Sequence, residues 1–253
     1  MTVLSVREAM NAMGLGGVGN LSVMREVMGF WQGKAPNDPT TSTPVVVSLG
    51  QAFTGLSGPH INVNIIKVGY DVLSAGALDT EEAAVDYGIH RTRQIYGGIG
   101  LGVGRVGYYW ITAAASNGRD DLGSDSESDT LSDEWSVPND GLDVFCVRTI
   151  TYDNVLGVSP KPGDCTKGGK SDGMIGGETG RGDPDGWSRT LAHEMGHYLD
   201  LPHNHGDTCP TATTARENLM AQTRCCVTTR SSVLLTSSQG STMRGRCQVR
   251  AGS

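Results

Sequence analysis

Leu191–Asp207 reads LAHEMGHYLDLPHNHGD and holds four of the chain's six histidines. His193 and His197 stand four apart within Ser188–Leu199, a stretch with helical spacing. Both imidazoles therefore project from one helix face, about a turn apart. Two ring nitrogens so placed can reach a single ion at ~2.0–2.1 Å, the distance zinc prefers. Glu194 follows the first histidine and completes H-E-x-x-H. Its carboxylate lies beside such an ion without having to bind it, where it can take a proton from a metal-acidified water.

A catalytic zinc of this kind needs a third protein ligand and one open position. His203, His205, Asp207 and Glu217 are the downstream candidates. His203, six residues past His197, comes within reach if the helix ends near Asp200 and the chain turns back. That turn asks for a residue tolerant of positive φ, normally glycine; aspartate is among the few other types that visit the region at modest cost. Pro202 supports the stop, since a helix does not readily continue into proline. Glu217, twenty residues after His197, is the alternative third ligand, in the manner of a thermolysin-like zinc peptidase. Ala221 stands where that family expects an aspartate. A third reading is a non-catalytic module, in which zinc only staples a small disulfide-bonded fold or supports protein binding. His205 and Asp207 remain as spares that read as loop residues, and His60 and His90 read as surface or cap histidines.

Upstream, INVNIIKVG from Ile61 alternates apolar and polar residues, the pattern of a half-buried strand. DTEEAAVDYGIHRTRQIYGG opens with a cap and early acids, keeps helical spacing and ends in paired glycines. IGLGVGRVGYYWIT reads as a strand again, giving a β-α-β unit whose crossover favours parallel pairing. Its Gly102–Gly107 spells G-x-G-x-x-G inside a strand, the reverse of the context a dinucleotide site requires. LDVFCVRTI is a further apolar strand. RDDLGSDSESDTLSDE reads as a solvated acidic loop, with a calcium (Ca2+) site as the competing reading. GVSPKPGDCTKGGKSDG is a long loop, and GMIGGE is expected to form a short edge strand. Arg181-Gly182-Asp183 is an adhesion tripeptide of the length that arises by chance.

Residues 1–45 hold two short helical candidates, Val6–Met13 and Ser22–Phe30, before the linker-like GKAPNDPTTSTP. They read as an N-terminal extension or propeptide-like segment, and 46–253 as one domain with an upper part, 46–203, and a C-terminal subdomain, 204–253. A net charge of −7 argues against nucleic acid as a partner. No apolar run approaches the ~20 residues of a membrane span. The six cysteines, Cys146, Cys165, Cys209, Cys225, Cys226 and Cys247, include no C-x-x-C pair and read as a disulfide set. Disulfides imply an oxidising compartment, hence a secreted, extracellular protein, although the first residues do not read as a signal peptide. Cys146 with Cys165 is the expected local pair, leaving the other four to tie down the segment after the histidines.

HEMGHYLDLPH resembles the long zinc motif of the metzincin metallopeptidases, H-E-x-x-H-x-x-G-x-x-H, with Asp200 at the family's glycine. Asn218-Leu219-Met220 is similar to the tight methionine turn that metzincins carry beneath the metal. The strand-helix-strand-strand order upstream also matches, and the later cysteines look most like the pappalysin-type branch. The resemblance implies an α/β (α+β) fold: a twisted, mostly parallel sheet with one antiparallel edge strand, an active-site helix and an irregular disulfide-stabilised C-terminal subdomain. It implies zinc (Zn2+) held by His193, His197 and His203, Glu194 as general base and acid, and Met220 as the structural base of the site. It further implies a monomeric endopeptidase acting on proteins or peptides. Gly173, Met174, Ile175, Gly176 and Gly177 would pair with extended substrate by strand addition. Gln222 stands where several branches place a tyrosine that assists the transition state, which leaves oxyanion stabilisation to the zinc itself.

Overall fold

The computed structural model describes residues 58–69, 88–89, 91–153, 155–167, 173–177, 184–206, 217–222 and 233–251. The 1–45 segment with both helical candidates lies outside them, as do His90, Arg181–Asp183, Asp207, Cys209, Cys225 and Cys226. Helices and a mostly parallel sheet make this an α/β arrangement.

At the centre of the sheet lies β1 (His60–Val68), the INVNIIKVG strand. It pairs in parallel with β2 (Gly102–Ile111) on one side and β4 (Gly141–Val147) on the other. The alternating pattern predicts one wet face, yet every residue from Ile61 to Val68 is buried. A central parallel strand is covered on both faces, so its polar residues survive only by bonding laterally. Asn62 donates to Asp140 at 2.9 Å and accepts from the Arg105 amide at 2.9 Å. Asn64 donates to the buried Asp143 carboxylate at 2.7 Å, which also accepts from Lys167.

The helix expected between β1 and β2 is present where it is described, at 88–89 and 91–97, and it ends at the paired glycines. Ile95 and Tyr96 enter one apolar cluster with Ile61, Val63, Ile65, Val144 and Cys146. On the sheet's other face Ile66, Val68, Phe145 and Val147 pack with Leu131 and Trp135. Those last two belong to a helix, α1 (Asp125–Trp135), where the acidic run reads as a loop. Ser124 caps it, accepting from the Glu127 amide at 3.3 Å, while Glu127 reaches back to the Gly123 amide at 2.6 Å. Satisfied first-turn donors, two acids at the positive helix end and a Leu131/Trp135 contact outweigh the low helix propensity of Asp and Ser.

The far side of the sheet corrects the edge-strand expectation. Gly173–Gly177 does form a strand (β7), but it runs parallel to β4 and is itself flanked by β6 (Gly157–Val158). The antiparallel edge is β6, in the order β2-β1-β4-β7-β6. Two residues are too few to show any periodicity, so VLGVS carries no strand signature of its own. Two further short strands, β3 (Asp121–Leu122) and β5 (Thr149–Ile150), pair with each other in parallel.

The cysteine pairing also differs from expectation. Cys165 is bonded to Cys247, not to Cys146. Cys146 is fully buried in β4 among apolar side chains, whereas Cys165 and Cys247 lie on exposed segments that meet in space. The bond fastens the loop after β6 to the C-terminal tail. Beside it Gln248 donates to the carbonyls of Gly163 (3.0 Å) and Asp164 (2.8 Å), and Arg250 bridges to His60. Among the described residues no helix is long and apolar enough to cross a membrane.

Candidate metal centre

The histidine helix, α2 (Pro184–Tyr198), begins four residues earlier than the spacing predicts, with a proline in its first turn, where a missing amide costs nothing. Trp187, Leu191, Met195 and Tyr198 form its buried stripe and lock it onto the sheet. Tyr96 reinforces this by donating its hydroxyl to the Ala192 carbonyl at 2.7 Å. With that face fixed, His193 and His197 are presented together on another.

The helix stops where the sequence says it must. Asp200 has φ of +75°, the left-handed conformation that a turn returning His203 was expected to need. Its amide bonds to the His197 carbonyl at 2.8 Å and the Leu201 amide to Gly196 at 2.9 Å. This pair of bonds is a Schellman cap. The Asp200 carboxylate meets Arg246 at 3.3 Å, a contact that glycine could not make. Beyond the cap the chain doubles back, and His203 Nε2 lies 3.1 Å from His193 Nε2 and 3.0 Å from His197 Nε2.

The chemistry of this trio follows from what lies behind the rings. His193 Nδ1–H donates to the Leu219 carbonyl at 2.7 Å, and His197 Nδ1–H to the Leu201 carbonyl at 2.6 Å. Those bonds place the proton on Nδ1, so both Nε2 lone pairs point at the same small volume. Burial, with the neighbouring imidazoles adding to it, lowers His193 to about 3 and His197 to about 4, so both rings stay neutral at neutral pH. Converging neutral lone pairs repel unless a cation sits between them. Three ligands on a tetrahedral ion at ~2.0–2.1 Å stand about 3.3 Å apart. The observed spacing is close to that, and the three residues are therefore able to hold a metal ion. His203 is exposed, which keeps one side of the trio open to solvent. Glu217 is not part of this group, nor is His205, whose Nδ1 bonds to the Gly206 carbonyl at 2.7 Å. Among the described residues the acidic run supplies no comparable cluster; Glu127 serves as a cap and Glu134 pairs with Arg119.

Glu194 is 9 % exposed, and burial raises its carboxyl from the ordinary value to about 8. Beneath the trio runs the turn Asn218–Ala221, closed by the Ala221 amide on the Asn218 carbonyl at 3.1 Å. Asn218 Oδ1 also accepts from the Met220 amide at 2.9 Å, holding Met220 fully buried. The turn supplies the Leu219 carbonyl to His193, and its Met220 carbonyl accepts from Asn204, next to His203. Gln239 of α3 (Ser237–Arg244) clamps Asn218, exchanging hydrogen bonds of 2.9 and 3.1 Å with it while completing a capping box with Thr236.

The structure thus brings together His193, His197 and His203 as ligand candidates, with Met220 directly under α2. The strand Gly173–Gly177 lies one position inside the edge that the sequence reading assigned to it. Sequence reasoning missed Gly196, whose absent side chain leaves room for Met220 Sδ; a methyl there would stand 2.7 Å from it. It also missed the Asn218–Gln239 clamp, although T-S-S-Q at Thr236–Gln239 is a readable capping signal. Compared with protein-family models and with curated proteins, the chain matches none.

Proposed function

We propose that the protein is a zinc-dependent endopeptidase of the metzincin type, secreted and acting on proteins or peptides. The observation that carries this reading is the convergence of three imidazoles beside a buried glutamate, with Asp200 in the left-handed turn between the second and third histidines. Three imidazole nitrogens at tetrahedral spacing with one side open suit zinc in a catalytic rather than a structural role. The sheet order, with its single antiparallel edge strand, and the methionine turn under the helix support the same assignment.

When bound, the ion supplies Lewis acidity, acidifying a water molecule and polarising the scissile carbonyl. The chain's own part falls to Glu194. Its side chain, buried and adjoining the first histidine, is placed to take a proton from the attacking water as a carboxylate and to return it to the leaving amine. His193 and His197 keep their orientation through their carbonyl partners and exchange no proton. Substrate in extended form is accommodated along β6, the sheet edge among the described residues, whose outer side has no strand partner there. The test is Glu194→Ala: the variant is expected to retain metal and to lose cleavage of a quenched casein substrate. Full turnover by that variant would remove Glu194 from the reaction and the proposal with it.

A further inference from the structure

The Glu194 side chain lies against β6 at Gly157, a residue with no side chain of its own. A methyl group on Gly157 would stand 2.7 Å from Glu194 Cγ, 3.0 Å from Cδ and 3.0 Å from Oε1. Carbon atoms in ordinary contact lie ~3.5–4.0 Å apart, so no side chain fits while Glu194 keeps its place. Neither support can yield easily. Gly157 is registered opposite Gly176 in the β6–β7 ladder, and β7 is hydrogen-bonded to β4 along its whole length. Glu194 leaves from α2, which is anchored by Trp187, Leu191 and Met195 in the core. The group free to move is the carboxyl, which has three side-chain torsions of its own.

We propose that Gly157 is a positioning residue for the proton-carrying glutamate: its bare backbone is the wall against which the Glu194 carboxyl is set. The proposal rests on the reading of Glu194 as that proton carrier. A side chain at 157 would rise from the face of β6 into Glu194, not from the free edge along which substrate is proposed to pair, and would turn the carboxyl out of line. A displacement of ~1 Å at a reacting group is enough to cost on the order of 10²-fold in rate.

The experiment is a cycle of Gly157→Ala, Glu194→Ala and the double variant, each assayed for bound zinc, thermal midpoint, kcat and KM. Gly157→Ala is expected to bind zinc in the normal ratio, to keep KM within about twofold and to lose kcat on the order of 10²-fold. In the double variant the obstructing atoms are gone, so the added methyl should leave the thermal midpoint of Glu194→Ala unchanged. Should Gly157→Ala alone fail to fold, restoration of folding in the double variant would still establish the contact. The inference is overturned if Gly157→Ala keeps its kcat, or if the methyl destabilises the Glu194→Ala background as much as the parent. Turnover by Glu194→Ala itself defeats the functional reading instead, whatever Gly157→Ala does.

Discussion

Asp200 offers a quantitative test of how the ligand turn is built, through the pair Asp200→Gly and Asp200→Ala. At φ of +75° an L-residue pays a steric cost that glycine avoids, roughly 1–2 kcal/mol for an ordinary side chain and less for aspartate. Against that, glycine frees the unfolded chain, at a cost of about 0.4–1 kcal/mol relative to alanine. The Arg246 contact adds little: at 3.3 Å, with the two side chains 25 % and 36 % exposed, it is worth about 0–1 kcal/mol. For Asp200→Gly these terms nearly cancel, and stability should stay within about 0.5 kcal/mol of the parent. Asp200→Ala keeps the steric cost and loses the ion pair, so it should fall below Asp200→Gly by about 0.5–1 kcal/mol. Urea unfolding of both variants with metal chelated reads the difference directly, and zinc titration shows whether His203 still joins its companions. Equal stability of the alanine and glycine variants would refute the left-handed turn as the element that delivers the third ligand.

Two other expectations concern the chain around the site. Reducing the Cys165–Cys247 bond, or replacing both cysteines with serine, opens a loop of 82 residues and should cost up to about 4.5 kcal/mol by chain entropy; an unchanged urea midpoint would mean that Gln248 and Arg250 hold the tail unaided. The metal-free protein should be most stable near pH 6.5. Below it His193 and His197, depressed to about 3 and 4, resist protons that the unfolded chain binds, so stability is lost as pH falls from 6.5 towards those values. Above it Glu194, raised to about 8, holds a proton that the unfolded chain has released, and stability falls by about 1.4 kcal/mol per pH unit until pH 8. A thermal midpoint of the chelated protein that rises steadily from pH 6.5 to 8 would contradict this.

How far each feature was legible depends on the length scale of its cause. The convergence of the three histidines could be read because its determinants are local: i,i+4 spacing places His193 and His197, and one turn at Asp200 returns His203. The β1 and β2 strands could be read from their apolar content, but the burial of Asn62 and Asn64 could not. It depends on Asp140 and Asp143, more than seventy positions away. The acidic run misled because composition pointed to solvent, while Ser124, Leu131 and Trp135, three residues in twelve, decided for a helix. The Cys165–Cys247 bond escaped because sequence proximity favours Cys146, and only the sheet reveals that Cys146 faces the core. The edge strand was shifted by one position because β6 is too short to carry a pattern.

The supports behind the imidazoles bear on whether zinc would act as a staple or as a reagent. His197 is oriented by the Leu201 carbonyl, which the Schellman cap fixes from within α2. His193 is oriented by the Leu219 carbonyl, which Asn218, Gln239 and the α3 capping box fix from a separate part of the chain. Each ring is thus aimed by protein hydrogen bonds whose own partners are secured independently of any ion. A structural zinc site is closed by four protein ligands and supplies folding energy outright. Here, among the described residues, no fourth side chain joins the trio, His203 is solvent-exposed, and a continuous apolar cluster from Ile61 to Met243 lies behind it. Aiming ligands before the ion arrives lowers the reorganisation that accompanies binding and leaves a coordination position for chemistry. Under the proposed function that combination suits a reagent, with the work of Asn218 and Gln239 being to hold Leu219 still behind His193.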